Sequence, residues 1–165
     1  MPCVSVVYNP IAKEMFSAIE KGGAYLNGRP ISVSTAKSMS EAAVATEAGY
    51  DRSDDGVALQ LNRMDQMLRV GKAQSFRMHG CCTHNLTSLA CGRIDAYYEG
   101  KDVTSGPKPW DFAAAALIVS EAGGYIGNME GGELDIFSGR GAAAATAELF
   151  GEVIELLSNA EALSN

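Results

Sequence analysis

One carboxylate stands at the mouth of an apolar run. In KPWDFAAAALIVSEAGG (108–124), Asp111 follows Pro109-Trp110 and leads into Ala113–Ala116. A carboxylate fixed at a helix start is a hard oxygen donor held in one direction, which suits a divalent cation such as Mg²⁺. The same position equally suits a plain first-turn acid, because a helix N-terminus carries partial positive charge. Two other placements could do chemistry. Glu99 closes the strand-like IDAYYEG (94–100), and Gly80, Cys81 and Cys82 open a helical pattern. The first N–H groups of a helix have no partner inside it and favour polar oxygen ligands.

Three other clusters have simpler readings. His79, Cys81, Cys82 and His84 suggest zinc, but adjacent cysteines seldom both reach one tetrahedral metal, so these are read as buried or pocket-lining. DRSDDG (51–56) has a D-x-x-D spacing, and Ser53 or Asp54 as a helix N-cap accounts for it. Gly139-Arg140-Gly141 followed by alanines fits a loose dinucleotide fingerprint after the strand-like ELDIF. Too little chain follows Glu161 for the second strand of such a unit, so the run is read as a turn into a buried, Ala-rich segment.

The elements that must position these residues follow from periodicity and turn signals. Strands are expected at 4–8 and 14–19, with a short piece at 24–26 and an edge segment at 30–33. Lys21-Gly22-Gly23 and Asn27-Gly28 supply the turns. From residue 42 the pattern changes to strands alternating with helices. Strands are expected at 42–49, 73–80 and 94–100, in YIGNM (125–129) and in ELDIFSG (133–139). Helices are expected at 53–70, with Val57, Leu61, Met64 and Leu68 on one buried face, and at 82–92, 111–124 and 148–158. Gly92 is the expected C-terminal stop of the second helix. That alternation is an α/β pattern with layered packing.

The bulk properties narrow the class. The 165 residues suit one domain-sized unit, 47% hydrophobic and 20% charged, as in soluble globular proteins. The net charge of −7 argues against a nucleic-acid partner, because phosphate backbones are held by clustered Lys and Arg. An acidic protein that handled phosphate would need something else to neutralise it, and a divalent metal is the obvious candidate. No apolar run reaches membrane-spanning length, and MPCVSVVYNP has no signal-peptide pattern, so a cytoplasmic location is expected. The four cysteines, at 3, 81, 82 and 91, are read as reduced thiols.

The string W-D-x-A-A-A-x-L-I-V-x-E-A-G-G around Asp111 resembles the C-terminal signature of the inositol monophosphatase family of magnesium-dependent, lithium-sensitive phosphatases. GGAYLNGRPISVS (22–34), RMHGCCTHNLTSLACGRIDAYYE (77–99) and FSGR (137–140) resemble further motifs of that family in the same order. The resemblance implies the C-terminal layered α/β half of an inositol-monophosphatase-like sandwich (37–165), preceded by a remnant of the N-terminal α+β sheet (1–36). It implies Mg²⁺-dependent hydrolysis of myo-inositol monophosphate. Asp111 is then a metal ligand, Glu99 the carboxylate that meets the polyol hydroxyls, and Gly80, Cys81 and Cys82 pocket-lining residues. It further implies a homodimer for the full-length protein. Nucleotide 3′-phosphates, inositol polyphosphates and histidinol phosphate are substrates of related members and stay open.

The family's D-P-[IL]-D-G-T metal loop, its preceding Glu and its water-activating Asp–Thr pair precede the hairpin motif, and this sequence holds no equivalent. No catalytic residue is therefore assigned. The chain is expected to represent a C-terminal fragment that is inactive alone and exposes apolar surface where further sheet is missing. A pseudo-enzyme or subunit that pairs with an intact homologue is the alternative. Cys81 and Cys82 also stand where the family carries Ser or Thr followed by Ala, which removes a possible hydroxyl contact.

Overall fold

A computed structural model describes residues 3–164; the outermost ends of the two expected segments, residues 1–2 and 165, lie outside the described residues. The first sheet is an antiparallel meander of β1 (Val4–Asn9), β2 (Glu14–Ile19), β3 (Gly23–Leu26) and β4 (Arg29–Ile31). The expected pieces are all present, with the edge strand beginning and ending earlier than 30–33. Asn27, at φ 50°, and Gly28, at φ 76°, make the tight turn between β3 and β4, as Asn-Gly pairs do. Period-2 alternation sends Phe16 and Ala18 inward, while Val4, Val6 and Tyr8 of β1 and Met15 and Ile19 of β2 face out.

The second sheet has the order β6-β5-β7-β9-β8, built from β5 (Ala43–Ala45), β6 (Ser75–Arg77), β7 (Ala96–Glu99), β8 (Tyr125–Gly127) and β9 (Gly141–Ala144). β5 runs parallel to β6 and β7, and β9 runs antiparallel to both β7 and β8. Helices α2 (Cys82–Ala90) and α4 (Ala115–Glu121) lie between the two sheets and share one core with Phe16, Ala18 and Ala24 of the first. On the other side α5 (Ala147–Ala162) covers the second sheet, with α1 (Asp54–Asp65) packed against α5, over a core of Met39, Met67, Tyr98, Leu149 and Leu157. Helices on both faces of a mixed sheet make this a layered α/β fold.

Three expectations are corrected. ELDIFSG (133–139) is not a strand. Asp135 turns the chain on itself: its carboxylate accepts the Phe137 N–H at 2.9 Å, and its carbonyl accepts the Ser138 hydroxyl at 2.7 Å. The strand is instead Gly141–Ala144, buried throughout, with Ala143 facing one core and Ala142 and Ala144 the other. Alanine has weak strand propensity, but small side chains let helices approach both faces of a central strand, and that packing decides the outcome. This also removes the dinucleotide reading, since a strand rather than a helix follows Gly141.

The second correction concerns α1. Val57, Leu61 and Leu68 face solvent, and the buried face carries Gly56, Arg63, Gln66 and Met67. A π-helical turn at Gln66–Val70 shifts the phase at Leu68, and before it the inward face is set by Arg63, which is buried because partners meet it. Third, the expected helix 111–124 is two pieces, α3 (Pro109–Phe112) and α4, with a turn at 113–114. Pro109 occupies the first turn of α3, where its missing N–H goes unneeded.

Candidate functional site

A cavity of about 520 Å³ opens at the carboxyl ends of the parallel strands β5 and β7. In open α/β sheets this is where ligands bind, because loops diverge there and helix N-termini point inward. Its walls bring together all five residues singled out from the sequence: Gly80, Cys81, Cys82, Glu99 and Asp111. Glu47, two residues beyond β5, joins them.

Asp111 sits in the first turn of α3. Its Oδ2 accepts the Lys108 N–H at 2.7 Å, and its carbonyl accepts the Thr83 hydroxyl of α2 at 3.0 Å. The geometry thus includes the plain capping role and also locks the two helices that frame the cavity. Glu99 ends β7 and is 8% exposed. Its Oε2 accepts the Tyr97 hydroxyl at 2.6 Å. Burial raises its carboxyl to about 7; the Tyr97 hydrogen bond opposes that rise, and the charges of Glu47 and Asp111 add to it.

Glu47 was not identified from the sequence. Its Oε1 accepts three N–H groups, from the backbones of His79 at 2.9 Å and Gly80 at 2.8 Å and from the Asn85 side chain at 2.8 Å. His79 in turn bonds Asn85 through its Nδ1 at 2.6 Å. The amide of Gly80 is therefore already engaged, and Gly80 serves by its left-handed φ of 80° rather than as a donor to ligand. Cys81 is exposed at the N-cap of α2, and burial raises the thiol of Cys82 far above its ordinary range. A carboxylate two residues after a short buried strand looks like any loop acid, so only the fold reveals Glu47.

A second set of residues braces the Glu99 end of β7. Arg63, 1% exposed, donates to the Gly100 carbonyl at 2.9 Å and to Glu161 of α5 at 2.8 Å, and Arg140 reaches the same Glu161 oxygen at 2.7 Å. Gly100 has φ 98°, and a Cβ there would lie 2.0 Å from the Gly139 carbonyl, so the loop leaving Glu99 requires glycine. In the loop after β5, Asp51 accepts the Ser53 N–H and hydroxyl and pairs with Lys101 at 2.7 Å. The hydrogen bond from Lys101 leads in holding its carboxyl at about 2. DRSDDG is thus a helix cap: the Ser53 hydroxyl accepts the Gly56 N–H at 3.1 Å.

Among the described residues, no three His, Cys, Asp or Glu side chains come together in a way that could hold a metal ion. Mg²⁺ demands near-octahedral oxygen coordination, which one side-chain carboxylate does not supply. Among the described residues, the donors therefore do not form a complete magnesium site.

The fold and cavity define a layered α/β domain with a cavity at the strand carboxyl ends, between the starts of two helices. The sequence model of the inositol monophosphatase family matches residues 1–162, and the chain belongs to that family. It is 43% identical over 160 residues to inositol monophosphatase 2 of Solanum lycopersicum, covering 97% of this chain and 58% of the relative. It is 39% identical over 135 residues to an inositol monophosphatase of Dictyostelium discoideum, covering 82% of this chain and 47% of the relative. Among solved structures, an inositol monophosphatase from Anabaena superposes with a TM-score of 0.84 at 28% identity, over 96% of this chain and 60% of that one. One from Thermotoga maritima superposes with a TM-score of 0.82 at 25% identity, over 99% and 58%. The chain spans about half the length of the curated relatives it matches.

Proposed function

We propose that this chain carries the polyol-binding wall and one metal-binding carboxylate of a Mg²⁺-dependent phosphatase that acts on inositol monophosphate. The observation that carries the reading is the convergence of Glu99, Asp111 and the α2 start on one cavity, in a chain of this family. A cavity lined by Glu47, Glu99 and Asp111 repels a phosphate monoester unless cations neutralise it. Asp111 supplies one oxygen to such a cation, Glu99 accepts ring hydroxyls, and the first amides of α2 support them. Bound Mg²⁺ would supply charge neutralisation of the phosphate.

The test is calorimetric titration of the full 165-residue chain with myo-inositol 1-phosphate, with and without Mg²⁺. Binding that requires Mg²⁺, weakens in Asp111→Asn and weakens in Glu99→Gln supports the reading. Binding that ignores both substitutions ends it. Turnover by the chain itself is expected to be negligible, since Asp111 is a single ligand, and Asp111-dependent turnover in a pure sample would overturn that expectation. Nucleotide 3′-phosphate, inositol polyphosphate and histidinol phosphate belong in the same titration as competitors.

A second reading is favoured by the outward face of the first sheet, where Val4, Val6, Tyr8, Met15 and Ile19 are exposed together. Such a face suits a subunit that pairs with an intact homologue, or the full-length protein as a homodimer. Four free cysteines are consistent with a reducing, cytoplasmic setting, and no described helix is long and apolar enough to cross a membrane.

A further inference from the structure

We propose that Tyr97 is a positioning residue for Glu99: its buried hydroxyl ties one carboxylate oxygen so that the other is presented to a polyol hydroxyl in the cavity. The proposal rests on the reading of Glu99 as the polyol-binding carboxylate. Residues two apart on a strand share a face, so Tyr97 and Glu99 point to the same side of β7. Tyr97 is completely buried against the start of α2, and its hydroxyl lies 2.6 Å from Glu99 Oε2. The Tyr97 end of this bond is closed to solvent, while Glu99 keeps a small exposure toward the cavity. A glutamate with three rotatable bonds would otherwise lose its side-chain freedom at the moment of ligand binding; here that ordering is built in.

Packing alone does not ask for the hydroxyl, since the phenyl ring of a phenylalanine fills the same volume. What the hydroxyl adds is a donor inside an acidic neighbourhood. The groups facing Glu99 are Glu47 beyond β5, Asp111 on α3, Cys82 on α2 and Tyr97 on its own strand. The two acids disfavour its ionised form, and Tyr97 is the neighbour that favours it. An ionised, fixed carboxylate accepts a hydrogen bond from a sugar-like hydroxyl more strongly than a neutral one.

The experiment uses the full chain and Tyr97→Phe. First, the carboxyl carbon of Glu99 is followed against pH by ¹³C NMR with labelled glutamate, its signal identified by loss in Glu99→Gln. The midpoint, about 7 in the parent, moves upward in Tyr97→Phe. Placing 3,5-difluorotyrosine at 97, a stronger donor of nearly the same shape, moves it downward and serves should Tyr97→Phe fail to fold. An unmoved midpoint in either variant overturns the proposal. Second, affinity for myo-inositol 1-phosphate with Mg²⁺ falls about five- to tenfold in Tyr97→Phe, the loss of one good hydrogen bond. In a Glu99→Gln background the same change alters affinity less than about twofold, because Tyr97 acts through Glu99. An equal loss in both backgrounds marks a merely structural role and also overturns it. A parent chain that binds no inositol phosphate sinks the polyol reading, while the NMR midpoint still decides whether Tyr97 holds Glu99.

Discussion

Glu99 is a carboxyl whose folded state holds its proton more tightly than the unfolded chain does. Its ordinary value of 4.5 rises to about 7, with burial the leading cause. A group raised in this way contributes its full stability below the unfolded value and loses it as pH climbs through the folded one. Between pH 4.5 and 8 the parent therefore loses about 3 kcal/mol that Glu99→Gln retains. Urea unfolding of both proteins at the two pH values measures the difference, and parallel pH profiles would contradict it. Glu47 makes a different kind of contribution, since one oxygen fixes the approach to α2 through three donors. Glu47→Gln is expected to cost about 1–2 kcal/mol and to speed exchange of the Gly80 amide about tenfold. Unchanged protection at Gly80 would show that the loop is held by something else.

At the scale of elements, the brace behind the site is polar where the sequence pattern promised an apolar stripe. Arg63 joins α1 to the Glu99 loop through Gly100 and to α5 through Glu161. Arg63→Ala leaves the Gly100 carbonyl without this donor in a buried place and is expected to cost about 3–5 kcal/mol. Arg63→Lys recovers only part, because an ammonium cannot span both partners as a planar guanidinium does. Equal denaturation midpoints for parent and alanine variant would refute the brace. The same helix shows where the sequence misleads. Val57, Leu61 and Leu68 satisfied a helical period, yet a period identifies the helix and not which face meets the core when a charged residue on the other face has partners. Strands β1 to β3 were legible because alternation and Asn-Gly turns are local signals. β9 was not, since a glycine and three buried alanines gain their strand from neighbours far away in the chain. Motif resemblance singled out Asp111, Glu99 and Gly80–Cys82, which share one cavity wall, whereas Glu47 and Arg63 became visible only in three dimensions.

The whole molecule is built asymmetrically. Its second sheet is covered by helices on both faces, whereas the first is covered on one face by α4 and left open on the other. In the open face, register places Val4 beside Ile19 and Tyr8 beside Met15, so the exposed side chains form one continuous surface rather than scattered positions. β1 pairs with β2 and has an open outer edge among the described residues, which adds unpaired backbone groups beside that surface. Apolar contact combined with an open strand edge favours association over simple exposure. Val6→Lys and Tyr8→Lys together place two charges on that face without touching the inward core of Phe16 and Ala18. The double variant is expected to sediment as a monomer at concentrations where the parent associates, with a denaturation midpoint within about 0.5 kcal/mol of the parent's. Association that persists unchanged in the variant would move the contact surface elsewhere. A large loss of stability would instead mean that the outward side chains support the sheet itself.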